Sequence, residues 1–103
     1  MDSMDSPPLL VEVLGPLRVF VDGMAIDVRG PKRRAVVTLL ALAEGRMVTV
    51  DYLLDALWPA AGPELGRQSL QTHVSRLRID LGAAAPRLQT GYDGYRLDLV
   101  VRD

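Results

Sequence analysis

LGRQSLQTHVSRLRIDL, residues Leu65–Leu81, gives the clearest indication of the fold of this chain. Its apolar residues recur at spacings of three and four and therefore fall on one side of an α-helix: Leu70, Val74, Leu77 and Leu81. Gly82 follows at once, and glycine is the typical residue just beyond a helix end. The sequence predicts a helix from about Glu64 or Leu65 to Leu81, with one face buried in a core.

The opposite side of this helix carries short, mostly uncharged polar side chains. Glutamine can bond both exposed atoms of adenine in the major groove, arginine can bond O6 and N7 of guanine, and the threonine methyl can touch that of thymine. Solvated helix faces usually carry many lysines and glutamates, so this composition favours close approach to a DNA groove over an ordinary surface helix. We call this set the reading face: Gln68, Gln71, Thr72, Ser75 and Arg76, with Ile79 continuing it.

Two more helices are predicted upstream. Pro31 suits the first position of a helix and Gly45 its end, which predicts a helix over about Pro31 to Glu44. Thr49 can cap the next helix, which ends at Trp58-Pro59. Apolar residues at helical spacing make it a core helix: Val50, Leu53, Leu54 and Leu57.

Short runs rich in β-branched and apolar residues predict strands on both sides of the helices. The first group is Leu9–Gly15, Leu17–Val21 and Met24–Val28, with Asp22-Gly23 as a hairpin signal. The second is Arg87–Thr90 and Gly94–Val100. The order predicts an α+β fold, a winged helix-turn-helix with an N-terminal antiparallel β-sheet, three helices and a C-terminal β-hairpin wing. The domain is expected over residues 9–101, after a disordered leader over residues 1–8.

Size and composition limit the classes of function. The 103 residues, 49% hydrophobic, suffice for one core. There is no cysteine and a single histidine, so neither a metal site nor a cofactor is expected, and no nucleophile is spaced to work with a base. We therefore do not expect an enzyme. No signal peptide or membrane-spanning run is visible, which predicts a cytoplasmic, nucleoid-associated protein.

The net charge of −1 is unusual for a protein that binds DNA, but the charges are unevenly distributed. Residues 1–28 hold five acidic side chains and one basic, whereas residues 29–34 hold four basic and none acidic. This cluster, Arg29, Lys32, Arg33 and Arg34, opens the first helix, where positive charge opposes the helix dipole. Phosphate binding, with Arg33 and Arg34 as the contacts, and a structural or partner-contact role are comparably good explanations.

Single residues outside the reading face also invite interpretation. Arg67 at the start of the third helix and Arg78 on its flank are predicted to bind phosphates, which contributes affinity without sequence information. The alternative is that they are ordinary solvent-facing arginines. His73 lies beside the apolar stripe, which favours a packed histidine over a catalytic base. Tyr92, at the tip of the predicted wing, is available to the DNA backbone or minor groove.

Several runs together resemble the OmpR/PhoB-type DNA-binding domain: LQTHVSRLR over residues 70–78, LDALWP over 54–59 and GYRL over 94–97. VLGPL over residues 13–17 and PKRRA over 31–35 are similar to the version found in the Streptomyces antibiotic regulatory protein (SARP) family. The resemblance covers about Leu9 to Leu99, nearly the whole chain.

The resemblance implies a four-stranded N-terminal sheet, three helices and a wing, with protomers head to tail on direct repeats of double-stranded promoter DNA. Carried over by position, Gln71, Thr72, Ser75 and Arg76 meet base edges, while Gln68, Ser69 and Arg78 lie near phosphates. Family members activate transcription by contacting RNA polymerase. The contact loop here is Pro59, Ala60, Ala61, Gly62, Pro63 and Glu64.

The wing departs from the family pattern. Many relatives carry an arginine shortly before the glycine-tyrosine pair, whereas this chain has Asp93, which repels phosphate. Arg87 or Arg96 is then needed if the wing contacts DNA. The leading hypothesis is a sequence-specific transcriptional activator of secondary-metabolite biosynthetic genes, and the alternative is a winged-helix protein-interaction module with little DNA specificity.

Overall fold

The computed structural model describes residues 6–102. Within that range the chain forms three α-helices: α1 (Pro31–Leu42), α2 (Val50–Leu57) and α3 (Pro63–Leu81). The strands of the same range are β1 (Leu9–Glu12), β2 (Arg18–Val21), β3 (Met24–Ile26), β4 (Val48–Thr49), β5 (Leu88–Thr90), β6 (Gly94–Leu97) and β7 (Val100–Arg102). The predicted winged-helix fold is confirmed.

A four-stranded sheet in the order β3-β2-β1-β7 lies on one side of the helices. The β2–β3 turn is the predicted hairpin, because Asp22 and Gly23 both take positive φ angles, 51° and 79°, as a type I′ turn requires. Residues alternate along β1, so that Leu9 and Val11 are buried while Leu10 and Glu12 lie on the outer face. β1 and β2 therefore cover the helices with one apolar side.

The fourth strand of this sheet comes from the far end of the chain. The sequence predicts one strand over Gly94–Val100, but β6 ends at Leu97 and β7 begins at Val100. Asp98 donates its backbone N–H to the carbonyl of Arg87, which extends the hairpin by one pair, and its carboxylate accepts from the Arg87 side chain. β7 then pairs in parallel with β1, with Val101 opposite Val11.

The second sheet has the order β4-β6-β5 and contains the wing, which we define as β5, β6 and their turn. β4, which the sequence does not predict, pairs with β6 so closely that Gly94 lies against the backbone of Val48. Val50 also donates its N–H to the carbonyl of Asp93 at 2.9 Å. The wing is thus fastened to the start of α2.

The three helices bury their apolar stripes against the first sheet and each other. The stripe predicted for α3 is buried throughout, and α1 contributes Val36, Val37, Leu40 and Ala41. Burying each such leucine or valine stabilises the fold by about 1.5–3 kcal/mol. Gly66 of α3 lies in the contact with α2. A Cβ added to this glycine would lie 3.3 Å from Leu54 Cδ2.

Some element ends differ from the prediction. α1 ends at Leu42 rather than Glu44, because Glu44 and Gly45 both take positive φ angles. α3 begins at Pro63, one residue before the predicted start, so Pro63 and Glu64 belong to its first turn rather than to the loop. A 3₁₀ helix over Gly82–Arg87, also unpredicted, joins α3 to β5.

The predicted leader of residues 1–8 extends outside the described part of the chain, since Met1–Asp5 are not described. Of the rest, the carbonyls of Ser6 and Pro7 accept hydrogen bonds from Arg87 at 2.9 and 2.6 Å. None of the helices in residues 6–102 is long and apolar enough to cross a membrane.

Candidate nucleic-acid interface

The reading face lies open on α3. Gln68, Gln71, Thr72, Ser75 and Arg76 are all exposed and together line one shallow hollow on the surface. Within residues 6–102 none of these five side chains makes a hydrogen bond or ion pair to another residue. Their donors and acceptors are therefore free for a ligand, and Ile79, which is 78% exposed, continues the face toward the end of α3.

A second hollow separates the first turns of α3 from the wing. It brings Gln71 of the reading face together with Arg67, Tyr92 and two carboxylates, Asp51 and Asp93. Tyr92 is fully exposed at the wing tip. Arg67 is also exposed, although its Nη2 lies 3.7 Å from Asp51 Oδ1. Sequence reasoning missed Asp51 here, because it belongs to α2 and only the fold brings it to α3.

Two predicted phosphate ligands differ in exposure. Gln68 is exposed, while Ser69 is half-buried and its carbonyl lies 2.7 Å from His73 Nδ1. The ring of His73 also packs edge-on against Trp58, with ring centres 5.2 Å apart. The histidine is a packed, hydrogen-bonded residue, as the sequence predicts.

The basic cluster at the start of α1 is engaged within the fold. Arg33 forms a 2.7 Å ion pair with Asp80, and both side chains are only 18% exposed. Arg34 donates to the carbonyls of Leu17 and Val28. We therefore do not assign Arg33 and Arg34 to phosphate binding, because their guanidinium groups join α1 to α3 and to the segments just before β2 and just after β3.

The other two members of the cluster are engaged as well. Lys32 donates to the carbonyl of Leu57 and its Nζ lies 5.5 Å from the centre of the Trp58 ring. Arg29 is exposed and donates to Asp27 at 2.9 Å. That hydrogen bond, together with the charge of Asp27, raises the pKa of Arg29 above its ordinary value. Of the two explanations for the cluster, the structural one is favoured.

Three further arginines were predicted as phosphate or wing ligands. Arg78 donates to Leu88 and Thr90 of β5. Arg87 is held by Asp98, Ser6 and Pro7 and lies at the base of the hairpin, away from the wing tip. Arg96 is exposed on β6, where it donates to Gln89 at 2.7 Å. Only Tyr92 and Arg96 of the predicted wing set are exposed to solvent.

The loop between α2 and α3 is an exposed surface. Pro59, Ala60 and Gly62 are exposed and Ala61 is half-buried. Trp58, at the end of α2, lines a hollow together with Pro59, Ala61 and Gly62 of the loop. Among residues 6–102, no group of three or more histidine, cysteine, aspartate or glutamate side chains is arranged to hold a metal ion.

Residues 28–97 match the family model described as "Transcriptional regulatory protein, C terminal". The chain is 41% identical over 91 residues to the transcriptional regulatory protein EmbR of Mycobacterium tuberculosis, covering 84% of this chain and 24% of EmbR. It is 36% identical over 98 residues to the regulatory protein DnrI of Streptomyces peucetius, covering 86% of this chain and 36% of DnrI. The chain thus spans about a quarter to a third of these relatives.

Solved structures show the same fold. The structure of M. tuberculosis EmbR in complex with a low affinity phosphopeptide superposes with a TM-score of 0.78 at 39% identity, covering 90% of this chain and 26% of that one. The response regulator DrrB of Thermotoga maritima, an OmpR/PhoB homologue, gives a TM-score of 0.64 at 22% identity and covers 85% of this chain and 44% of that one.

Proposed function

The chain belongs to the family of transcriptional regulatory protein C-terminal domains of OmpR/PhoB type, and on that premise we propose that it binds duplex DNA sequence-specifically through the reading face of α3. One observation carries the proposal. The five polar side chains of that face are exposed, contiguous and free of partners in the described chain. A helix of this kind fits the major groove, where each base pair presents its own donors and acceptors.

Each side chain has a role that its chemistry permits. Arg76 pairs with O6 and N7 of guanine and Gln71 with N6 and N7 of adenine, while Thr72 and Ser75 make shorter contacts with base edges. Arg67, Gln68 and Ser69, at the start of α3, bind phosphates and set the register of the helix in the groove. Tyr92 and Arg96 supply the contacts of the wing.

We further propose that the domain serves a transcriptional activator that binds direct repeats with protomers head to tail. Direct repeats place neighbouring protomers in the same orientation, so their contact joins two different surfaces. The exposed loop from Pro59 to Gly62 and the adjacent residues Pro63 and Glu64 contact RNA polymerase. Secondary-metabolite genes are the proposed targets, because relatives include regulatory proteins of Streptomyces.

The test is a fluorescence-anisotropy titration of the chain with its own upstream promoter duplex and a scrambled duplex, at two salt concentrations. We expect tighter binding to the promoter, weakening as salt rises. Arg76→Ala should lose about 1–3 kcal/mol of the preference for the promoter, the value of one bidentate base contact.

Arg18→Ala is the matched control, since it removes one exposed arginine from the first sheet, on β2 rather than α3. It should leave the preference for the promoter intact. Equal and feeble binding to both duplexes, unaltered by Arg76→Ala, would contradict the proposal. That result would favour the protein-interaction module, for which the two carboxylates beside the reading face, Asp51 and Asp93, are the supporting observation.

A further inference from the structure

We infer that Arg78 is a positioning residue that holds the wing against α3, so that the reading face and the wing meet DNA as one rigid surface. This inference rests on the proposed function and adds to it the residue that joins its two contact elements. It differs from the phosphate-binding role that the resemblance implies for Arg78.

The first observation is the pair of acceptors. Arg78 Nη2 donates to the carbonyl of Leu88 and to the hydroxyl of Thr90, each at 2.9 Å. These residues are the first and last of β5, which is only three residues long. One half-buried guanidinium therefore holds both ends of the strand.

The second observation is that β5 is the edge strand of its sheet, with β6 as its only strand neighbour within residues 6–102. Asp98 donates to the Arg87 carbonyl and Gly91 to the Gly94 carbonyl, so these are the hydrogen-bonded pairs of the β5–β6 hairpin. In an antiparallel ladder such pairs alternate with non-bonded ones, and Leu88 opposite Leu97 is a non-bonded pair. The Leu88 carbonyl therefore points away from β6 and receives no hydrogen bond from that strand. Arg78 donates the hydrogen bond to this carbonyl instead.

The two strands of the wing are held in different ways. β6 pairs with β4, and the turn accepts the N–H of Val50 through the carbonyl of Asp93. In residues 6–102, β5 has no strand on its other side, and its buried residue Leu88 is the apolar contact that it makes with the core. Arg78 adds the hydrogen bonds that connect β5 to the helix that carries the reading face.

Arginine suits this role because its planar group presents donors in a fixed geometry. Both hydrogen bonds come from Nη2, at the far end of that group. Lysine keeps the charge, but its side chain is one bond shorter and its ammonium does not reach both acceptors. An arginine that only binds a DNA phosphate can be replaced by lysine with its affinity kept. An arginine that holds β5 through these two hydrogen bonds cannot. Arg78→Lys therefore separates the two roles.

The first experiment measures amide hydrogen exchange by NMR in the free domain, without DNA. We expect the Gly91 amide, inside the wing, to exchange about tenfold faster in Arg78→Lys and Arg78→Met, because the loss of a charged hydrogen bond lets β5 open more often. Arg18→Met, which removes an exposed arginine from β2 in the other sheet, should leave that rate unchanged. Thr90→Val deletes only the hydroxyl acceptor and should give a smaller increase, even if Arg78→Met does not fold.

The second experiment measures promoter affinity over a range of salt concentrations. A tether predicts that Arg78→Lys and Arg78→Met bind about tenfold more weakly with the slope of log affinity against log salt unchanged, because the bound wing must first be ordered. A phosphate contact predicts that Arg78→Lys keeps its affinity and that Arg78→Met lowers the slope by about 0.9.

An unaltered Gly91 exchange rate in Arg78→Met, or a lowered salt slope, overturns the inference. If the unsubstituted chain shows no preference for its promoter, the proposed function fails instead. The exchange rates still decide whether Arg78 tethers the wing, since they are measured without DNA.

Discussion

At the scale of single residues, the arginines of this chain differ in role because of what lies within reach of each. Arg76 projects from α3 into solvent, whereas Arg34, on α1, donates to two backbone carbonyls of the first sheet region. The sequence contains no local signal for the difference, since Leu17 lies 17 residues before Arg34. Whether a basic residue near α3 is free to bind a phosphate group therefore depends on the partners that the fold brings to it.

Gly94 lies at a position where the fold leaves no room for a side chain. A Cβ at this position would overlap the carbonyl oxygen of Val48 and lie 2.9 Å from Thr49 Cα, both of them backbone atoms that cannot turn aside. Gly94→Ala should lower the free energy of unfolding by about 2 kcal/mol or more, because β4 and β6 must separate. Urea denaturation measures the change.

Gly62→Ala provides the comparison for Gly94→Ala. A Cβ at Gly62 meets nothing within 4 Å, and its φ of −64° suits any residue. Its cost should stay below about 1 kcal/mol, the difference expected between alanine and glycine at a helix N-cap. Equal losses for the two variants would show that Gly94 is not constrained by β4.

At the scale of elements, α3 has a buried apolar face and an open polar face, and its C-terminal end is joined to the start of α1 by an ion pair. Leu70, Val74 and Leu77 bury one face, while the reading face stays open. The ion pair of Arg33 with Asp80 then joins α1 to α3 across 47 residues. This pair explains why positive charge is tolerated in the first turn of α1.

Asp80→Asn should destabilise the domain by about 1–3 kcal/mol, because it leaves a mostly buried guanidinium without its charged partner. The measurement is the free energy of unfolding from urea denaturation. Arg33→Met and the double variant complete a double-mutant cycle. In this cycle the second substitution should lower the free energy of unfolding by less when the first is already present.

Asp27→Asn is the control for the buried pair. It breaks the Arg29–Asp27 ion pair, which is 2.9 Å long but has side chains 84% and 70% exposed. Exposed pairs contribute about 0.2–1 kcal/mol, so the loss should be small. A loss as large as that of Asp80→Asn would mean that burial does not account for the strength of the Arg33–Asp80 pair.

At the scale of the whole molecule, charge is arranged so that few cations face outward near α3. The basic cluster at residues 29–34 makes contacts within the fold, and Asp51 and Asp93 line the hollow beside Arg67. A single domain therefore has a limited electrostatic attraction for DNA. A second protomer on a direct repeat would add to that attraction without a change in the reading face.

Asp93→Asn should raise DNA affinity by about two- to fivefold at low salt, because it removes a negative charge from the wing turn beside the phosphates. The increase should shrink as salt rises. Anisotropy titration at several salt concentrations measures both effects.

Asp22→Asn removes the same charge from the β2–β3 turn, on the other sheet, and asparagine tolerates the positive φ of that position. It should leave DNA affinity nearly unchanged. If both variants raise the affinity equally, net charge rather than the position of Asp93 is responsible.

The family assignment also belongs to the whole molecule. The resemblance to the OmpR/PhoB-type domain is confirmed by the family model over residues 28–97, and its SARP form is supported by the Streptomyces and mycobacterial regulators among the relatives. These relatives are transcriptional regulators by name, and the chain is a regulator domain of the same type.

The three helices, the buried and open faces of α3, the β2–β3 turn and the hairpin of the wing are predictable from the amino-acid sequence alone. Each depends on residues that are close in the chain: apolar side chains three or four apart, a capping threonine at position 49, and the pair Asp22-Gly23. Local conformation and local periodicity are sufficient for such features, because the interacting groups are neighbours before folding.

The parallel pairing of β7 with β1 and the strand β4 depend on the folded chain. The same holds for the hydrogen-bond partners of Arg33, Arg34, Arg78 and Arg87. Val101 meets Val11, and Arg87 meets the carbonyl of Pro7, 80 residues away. Such contacts form because folding brings distant donors and acceptors together, and a buried polar group must find a partner wherever the chain supplies one. The periodicity of the sequence does not predict which distant residues become partners.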